Sequence, residues 1–525
     1  MDYALLLSSF DREHGHHSWP RQRLLHECLR WAIRDGKLAP GTRLVATRTL
    51  AAELGVARNT VLYAYEQLAS EGFVVPDRRG TVVATLAPAP GRRRTAPVPQ
   101  AGLSRRARNL RHVSNDASDG VPFVPGVPDL ASFPLALWRR LLDRAWRGLA
   151  PAQLNYSDPA GVPALRAAIA DHLRASRGVV CEPAQVFITD GSQSSLDLCA
   201  HACADAGDIV WMENPGYGGA LAAFRGAGLA VEGIDVDRDG MAPTPQDWRM
   251  RRPKLIYATP SHQYPVGTVL SLARRMALID GARACGALIV EDDYDSEFRH
   301  DGPPLAAMQG LAPDAPVLYC GTFSKTMYPG LRIGFLVVPP ELAPQLATMR
   351  AQSAAAGRVA EQLALAEFLT SGQFALHLRR MRRLYRQRRD ALVAALDRHL
   401  GRIATVDGAS AGMHLSLRFT DAALSDLAIV ERARREGIVV NALSTHAVQG
   451  TTAWNGLMLG YAQVPAERME ELVRRLAAVI YLAAYEANKT HGDRHRSEGV
   501  TAPGSVPVTG GVKTRSPRAR TSNGR

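Results

Sequence analysis

Residues 85–117 constrain this chain more than any other stretch: Pro88, Pro90, Pro97 and Pro99 stand among Ala, Gly and seven Arg, with Asp116 the lone acid. Proline fixes φ and removes a donor, and so few large apolar side chains cannot bury a core. The segment therefore reads as an extended, mobile, basic linker. The chain must fold as separate pieces, a head over 1–84 and a body over 118–486. Residues 487–525 are again rich in Gly, Pro, Ser, Thr and Arg and read as a disordered basic tail. At 525 residues, roughly two to four domains are expected.

Charge follows the same division. The formal net charge is +13. Residues 1–18 carry net −2, 19–84 net +4, the linker net +6 and 487–525 net +6, which leaves −1 on 118–486. A polyanion would meet the head, linker and tail first, while the body is a near-neutral globule. An apolar fraction of 46% with 22% charged residues excludes collagen-like, disulfide-scaffold and wholly disordered classes. The apolar run Leu476–Tyr485 is too short to span a bilayer, so no membrane partner is expected. Asp2 stands where an export signal carries positive charge, and the six cysteines form no CxxC pair. A reduced, cytoplasmic protein without a metal site is the expectation.

In the head, Leu24, Leu25, Cys28, Leu29, Ala32 and Ile33 recur at helical spacing over 21–35, and Gly36 stops that helix. A second helix, 48–54, follows Thr47 as N-cap and ends at Gly55. A third begins at Arg58-Asn59-Thr60-Val61 and runs to Ser70, burying Val61, Tyr65 and Leu68. Two helices joined by a Gly-containing turn make a helix-turn-helix, which sets the N-terminal residues of its second helix against base edges. Arg58 offers a fork for guanine or phosphate, Asn59 an amide for adenine and Thr60 a hydroxyl for phosphate, with Arg48 opening the helix before them. Phe73-Val74-Val75, the turn Asp77-Arg78-Arg79-Gly80 and Thr81-Val82-Val83 form a hairpin with a basic tip, which adds Arg78 and Arg79 to the set facing double-stranded DNA. The strings Lys37-Leu38-Ala39-Pro40-Gly41-Thr42-Arg43-Leu44, Leu50–Val56 and Arg58–Val61 resemble the winged-helix domain of GntR-type regulators. Ala57 departs from that pattern, which commonly has Ser there.

The body alternates β-branched runs (186–188, 209–211, 255–257, 287–290, 317–319) with helical patterns such as 194–206 and 272–285. That order implies an α/β fold with a mostly parallel sheet and ligands at its strand ends. Leu- and Arg-faced helices dominate after about residue 345, and Pro465 opens a last helix over 466–485. One segment decides the chemistry: Gly321-Thr322-Phe323-Ser324-Lys325-Thr326, followed by Pro329-Gly330-Leu331-Arg332. Upstream lies the acidic strand end Glu291-Asp292-Asp293-Tyr294-Asp295. Further upstream, Thr189-Asp190-Gly191-Ser192-Gln193 joins a strand to a helix, an anion site, with Asp190 a candidate cap. A cofactor bonded through its aldehyde needs a partly deprotonated lysine, a carboxylate on its pyridine nitrogen, donors for its phosphate and an aromatic face. Lys325, Asp292, Ser192, Ser324, Arg332 and Tyr217 can supply these.

The arrangement resembles fold-type I aminotransferases of class I over about 120–486, with a smaller C-terminal α+β part. The resemblance implies pyridoxal 5′-phosphate as cofactor, Lys325 as its catalytic and covalent lysine, Asp292 on the ring nitrogen and Tyr294 on the ring hydroxyl. It implies Gly191, Ser192, Gln193, Ser324 and Arg332 around the phosphate. Tyr156 would reach the neighbouring subunit's phosphate, which makes a homodimer with shared, head-to-tail sites. Two departures bear on catalysis. The family's Asn-Pro-x-Gly turn reads Tyr264-Pro265-Val266-Gly267. The late strand that carries a carboxylate-clamping Arg reads Asn455-Gly456-Leu457-Met458-Leu459-Gly460-Tyr461, with Asn455-Gly456 in the slot. An ordinary α-amino acid then loses roughly 2–3 kcal/mol of binding and orientation, against efficient transamination. A GntR-like head, a basic linker and an aminotransferase-like body resemble the MocR/GabR subfamily. The implied function is a transcription regulator in which the cofactor or an amine effector controls the grip of paired heads on paired half-sites. An active aminotransferase tethered to DNA is the alternative.

Overall fold

The computed structural model describes residues 2–14, 19–85, 102, 104–108, 121–302, 305–312, 314–353, 357–450 and 454–498. The chain forms two compact units, Met1–Gly102 and Leu103–Arg525.

The first unit holds α1 (Tyr3–His14), α2 (Arg21–Arg34), α3 (Thr47–Leu54), α4 (Arg58–Ser70) and the hairpin β1 (Val74–Asp77) and β2 (Gly80–Val83). Leu25, Leu29, Ile33, Leu50, Val61, Leu68, Val74 and Val83 close one apolar core. The helix periodicity placed α2 and α4 to within a residue. Thr47 is not the cap of α3 but its first helical residue; Ala46 precedes it and no side chain caps that end. Gly55 ends α3 at φ +58, a left-handed turn that costs glycine nothing. The sequence reading missed α1. Its Tyr3 and Phe10 are buried, and the Tyr3 N–H donates to Glu53 Oε1 at 3.0 Å.

The second unit begins, among the described residues, with the short α5 (Arg105–Arg108), then α6 (Leu135–Gly148) and α7 (Pro163–Arg177). The core alternation follows: β3 (Val186–Thr189), α8 (Ser192–Cys203), β4 (Ile209–Asn214), α9 (Gly218–Ala227), β5 (Ala230–Asp237), β6 (Gly240–Met241), α10 (Pro245–Met250), β7 (Leu255–Ala258), α11 (Leu272–Cys285), β8 (Leu288–Asp293), β9 (Val317–Thr322) and β10 (Gly334–Val337). These strands form one sheet in the order β3-β10-β9-β8-β7-β4-β5-β6, parallel from β9 to β5 and antiparallel where β10 and β6 join. Period-two alternation buries both faces. Val210, Met212, Tyr257, Val290 and Leu318 pack toward α8 and α9, while Trp211, Ile256, Ile289 and Val317 pack toward α11.

Three helices, α12 (Ala343–Ser353), α13 (Val359–Thr370) and α14 (Gln373–Leu400), lead to an antiparallel sheet. Its strands are β11 (Ala404–Asp407), β12 (His414–Phe419), β13 (Asn441–Ala442) and β14 (Gly456–Gly460), ordered β11-β12-β14-β13, with α15 (Asp426–Arg435) between β12 and β13. The last helix, α16, runs Met469–Glu498 after a single 3-10 turn at Ala466–Arg468. It therefore continues past Tyr485 into the stretch read as tail; 499–525, like most of 85–117, lie outside the described residues. No helix among those described is long and apolar enough to cross a membrane.

Candidate functional site

The carboxyl ends of β4, β7, β8 and β9 converge, and the N-terminus of α8 faces them. Lys325 follows β9. It is partly buried, and its Nζ donates to the Gly126 carbonyl at 2.6 Å. Gly126 has φ +77, the left-handed region that favours glycine, and a Cβ there would lie 2.9 Å from that nitrogen. Burial pushes the Lys325 pKa down, with Asp295 and Asp292 opposing. Asp292 is the penultimate residue of β8, at 4% exposure. Tyr257 donates to its Oδ2 at 2.9 Å, and its Oδ1 is buried with no partner. Burial pushes this carboxyl up to about 7, the Tyr257 hydrogen bond opposing.

The anion end lies at the β3–α8 turn. Gly191 is the N-cap of α8 at φ +97, and a Cβ there would stand 3.5 Å from the Arg332 guanidinium. Arg332 itself holds φ +51, an uncommon backbone for a non-glycine residue, set by the 3-10 turn Pro329–Leu331 that it ends. Ser192 and Gln193 occupy the first turn of α8, whose N–H groups have no helical acceptor. The Gln193 side chain turns away and donates to Gly219 O at 3.0 Å, so only its backbone N–H faces this end. The Ser324 hydroxyl accepts from Thr322 at 3.1 Å. Asp190 does not cap α8; it pairs with Arg358.

Tyr217 meets Tyr264 edge to face at 5.2 Å, and burial pushes its phenol up to about 12, with Asp292 adding to and Arg332 opposing the rise. Tyr264, in the place of the expected Asn, is ringed by Tyr294 (6.0 Å), His414 (5.6 Å) and His446 (5.3 Å) as well. The Tyr294 hydroxyl donates to the His262 carbonyl at 2.8 Å. Tyr156 stands apart from all of these on the surface, 99% exposed.

The structure also brings in residues that sequence reasoning missed. Tyr257 braces Asp292. Glu213, at the end of β4, is buried beneath Thr259 and Gln263, which donate to its Oε2, and burial pushes it up to about 7. His262, Asp295 and His414 place one ligand-type atom each within 4.8 Å of one another, where spacing alone suggested no such group. Of these only Glu213, two places past the run 209–211, carried a local signal.

The carboxylate slot needs correction. Asn455 lies before β14 and donates to Leu424 O at 2.8 Å, and a side chain on Gly456 would strike Leu417 O at 2.1 Å, so neither position can carry the clamp. In the β12–β14 ladder His414 lies opposite Gly460 and Ser416 opposite Met458. Directly opposed residues share a face. Gly456 shares this face but stands at the strand's start opposite Arg418, so the positions of β14 beside His414 and Ser416 are Met458 and Gly460, and no Arg occupies either.

In the first unit, Arg58 and Asn59 open α4, both exposed, with Thr60 half-buried beside them and Arg48 exposed on α3. No side chain caps α4 at Ala57. Arg78 and Arg79 are the two exposed turn residues between the paired Asp77 and Gly80. Leu62 and Tyr63, one turn on from Arg58 and Asn59, are 39% and 40% exposed, whereas Val61, Tyr65 and Leu68 are buried as the helical spacing implies.

Comparison with known proteins agrees with both halves. Residues 23–83 match the bacterial regulatory proteins of the gntR family, and residues 129–476 match aminotransferase class I and II. The chain is 42% identical to the probable rhizopine catabolism regulatory protein MocR of Rhizobium meliloti, over 87% of this chain and 93% of that one. It is 34% identical to the pyridoxine biosynthesis transcriptional regulator PdxR of Corynebacterium glutamicum, over 87% and 95%. Among solved structures, LysN, the α-aminoadipate aminotransferase of Thermus thermophilus complexed with N-(5′-phosphopyridoxyl)-L-leucine, superposes with a TM-score of 0.65 at 29% identity, over 73% of this chain and 98% of that one. The chain belongs to the MocR subfamily of GntR-type transcription regulators, a winged helix-turn-helix fused to a class I aminotransferase fold.

Proposed function

We propose that the body holds pyridoxal 5′-phosphate on Lys325, and that occupancy of this pocket, by the cofactor or by an amine reacting with it, sets the affinity of the head for DNA. The observation that carries this reading is one buried cluster that joins a desolvated lysine to the Asp292 carboxyl, whose Oδ1 is unpartnered. A buried acceptor without a donor costs roughly 1–3 kcal/mol, which a protonated ring nitrogen relieves. The remaining residues fit the same group. Gly191 leaves room beside Arg332 for a phosphate, Ser192 and Gln193 offer helix N-terminal N–H groups, and Ser324 offers a hydroxyl. Tyr217 supplies an aromatic face and Tyr294 a phenol for the ring hydroxyl. When bound, the cofactor supplies a carbon that bonds amines reversibly; orienting the amine and keeping Lys325 partly neutral fall to the chain.

The exposed Tyr156 is suited to the phosphate of a second copy, so the working unit is a cytoplasmic homodimer whose two heads meet paired half-sites. An effector shifts DNA affinity only by binding the two states of the body unequally. The lack of Arg at Met458 and Gly460 favours regulation over transamination as the role of this pocket.

Asp292→Asn tests the assignment. Cofactor affinity, read by fluorescence titration, falls at least tenfold; unchanged affinity would remove Asp292 from the site. The cofactor-free protein adds a pH signature. Asp292 keeps its proton up to about 7 in the fold, whereas the unfolded chain loses it near 3.8. The folded state thus holds the extra proton, and stability falls as pH rises between those values. The melting temperature of the Asn variant should gain on that of the parent from pH 5 to pH 8.

A further inference from the structure

The pocket wall that replaces the carboxylate clamp has its own chemistry. His414 is 2% exposed, and its ring meets His262 at 4.7 Å and Tyr264 at 5.6 Å. On the same strand face, the Ser416 hydroxyl donates to the Pro265 carbonyl at 2.8 Å, opposite Met458. Leu415, Leu417, Leu457 and Leu459 turn the other way into the core. His414 Nε2 is buried and has no partner, and so is His446 Nε2 across the Tyr264 ring.

Burial holds both rings in the neutral form: His446 is pushed down to about 4 and His414 is well below its usual value, with His262 and Lys325 adding to the effect. A hydrogen bond to the Pro265 carbonyl also acts on the His414 ring. A carbonyl only accepts, so the neutral ring gives its single proton there and Nε2 is left as a bare acceptor. His262 is already engaged, with Nδ1 3.0 Å from Asp295 and Nε2 3.2 Å from Gly408 O. The chief groups acting on His414 are histidines, Lys325 and a carbonyl, with no guanidinium among them. A ligand carboxylate here would meet a lone pair on one side and the Asp295 carboxylate nearby on the other, with no fork to hold it. A ligand hydroxyl would donate to that lone pair and relieve an unsatisfied buried acceptor.

We infer that the effector of this protein is a hydroxylated amine: its nitrogen directed to the carbon held by Lys325, and its hydroxyl donating to His414, with His446 beside it, rather than an amino acid. This rests on the cofactor reading above. The test is a spectral titration of cofactor-loaded, full-length protein with matched amines: 4-amino-1-butanol, 4-aminobutyrate and 1,4-diaminobutane, with glucosamine as a polyhydroxylated probe. The alcohol should bind at least tenfold tighter than the acid or the diamine. His414→Phe should erase that preference while the cofactor stays bound, and His446→Phe should weaken it if the first variant fails to fold. Equal or tighter binding of the acid or diamine, no response to either hydroxylated amine, or a preference that survives in a folded variant would each overturn the inference. So would a stoichiometric metal ion found on His262, Asp295 and His414 in the purified protein. Absence of any lysine-bonded cofactor band would instead bring down the underlying reading as well.

Discussion

Lys325→Ala protein, purified with excess pyridoxal 5′-phosphate and reduced with borohydride, will carry no covalent phosphopyridoxyl mass, where the parent carries one per chain on the peptide containing residue 325. The reason is local. Burial lowers the lysine's affinity for its proton, which leaves part of it as a neutral nucleophile, and the Gly126 carbonyl positions that nitrogen. Alanine keeps the backbone and the strand end but removes the nucleophile. The change in DNA affinity on adding cofactor should vanish, while the DNA affinity of the cofactor-free protein should persist, because the head closes its own apolar core. Persistence of the mass increment, or of a cofactor-dependent change in DNA binding, would refute the assignment of Lys325.

The second large effect lies in the other unit. Arg58→Ala should weaken operator binding by about 1–3 kcal/mol, roughly five- to 150-fold, if the fork reads a base edge. Arg58 is exposed at the start of α4 and makes no contribution to the core of Leu29, Leu50, Val61 and Leu68, so the loss reflects binding rather than unfolding. Arg78→Ala and Arg79→Ala should instead weaken all sequences alike and flatten the dependence on salt by about one counterion each. Equilibrium binding measured at several salt concentrations separates the two. Unaltered affinity and slope for Arg58→Ala would take it out of the interface.

Much of this architecture was legible in the chain because its signals are local. The five strand runs of the body were readable because a sheet buried on both faces demands unbroken β-branched and aromatic stretches, as at Val186–Thr189 and Val317–Thr322. Helix stops at Gly36 and Gly55 were readable because a positive φ selects glycine. The failures are also physical. Thr47 and Asp190 have the chemistry of caps, but capping depends on where the helix starts and on competing partners such as Arg358. The β14 slot was misplaced by two to three positions because the pairing of β14 with β12, not the sequence of one strand, decides which residue stands beside His414 and Ser416. Gln193 was placed around the phosphate without saying by which atoms, and only the packing of α8 beside α9 sends its side chain to Gly219 O.

By itself the sequence determined the division into a basic head and a near-neutral body, the two folds, and the lysine and carboxylate on which a cofactor reading depends. Those follow from composition, periodicity and short motifs, which are properties of neighbouring residues. Only the tertiary structure decided that Tyr257 braces Asp292 and that Gly126 receives Lys325. It alone placed His414, His446 and Met458 where a cationic clamp would stand. These residues come from strands and loops far apart in the chain, and long-range packing, with the burial it imposes, sets which side chains meet and which polar atoms are left without a partner.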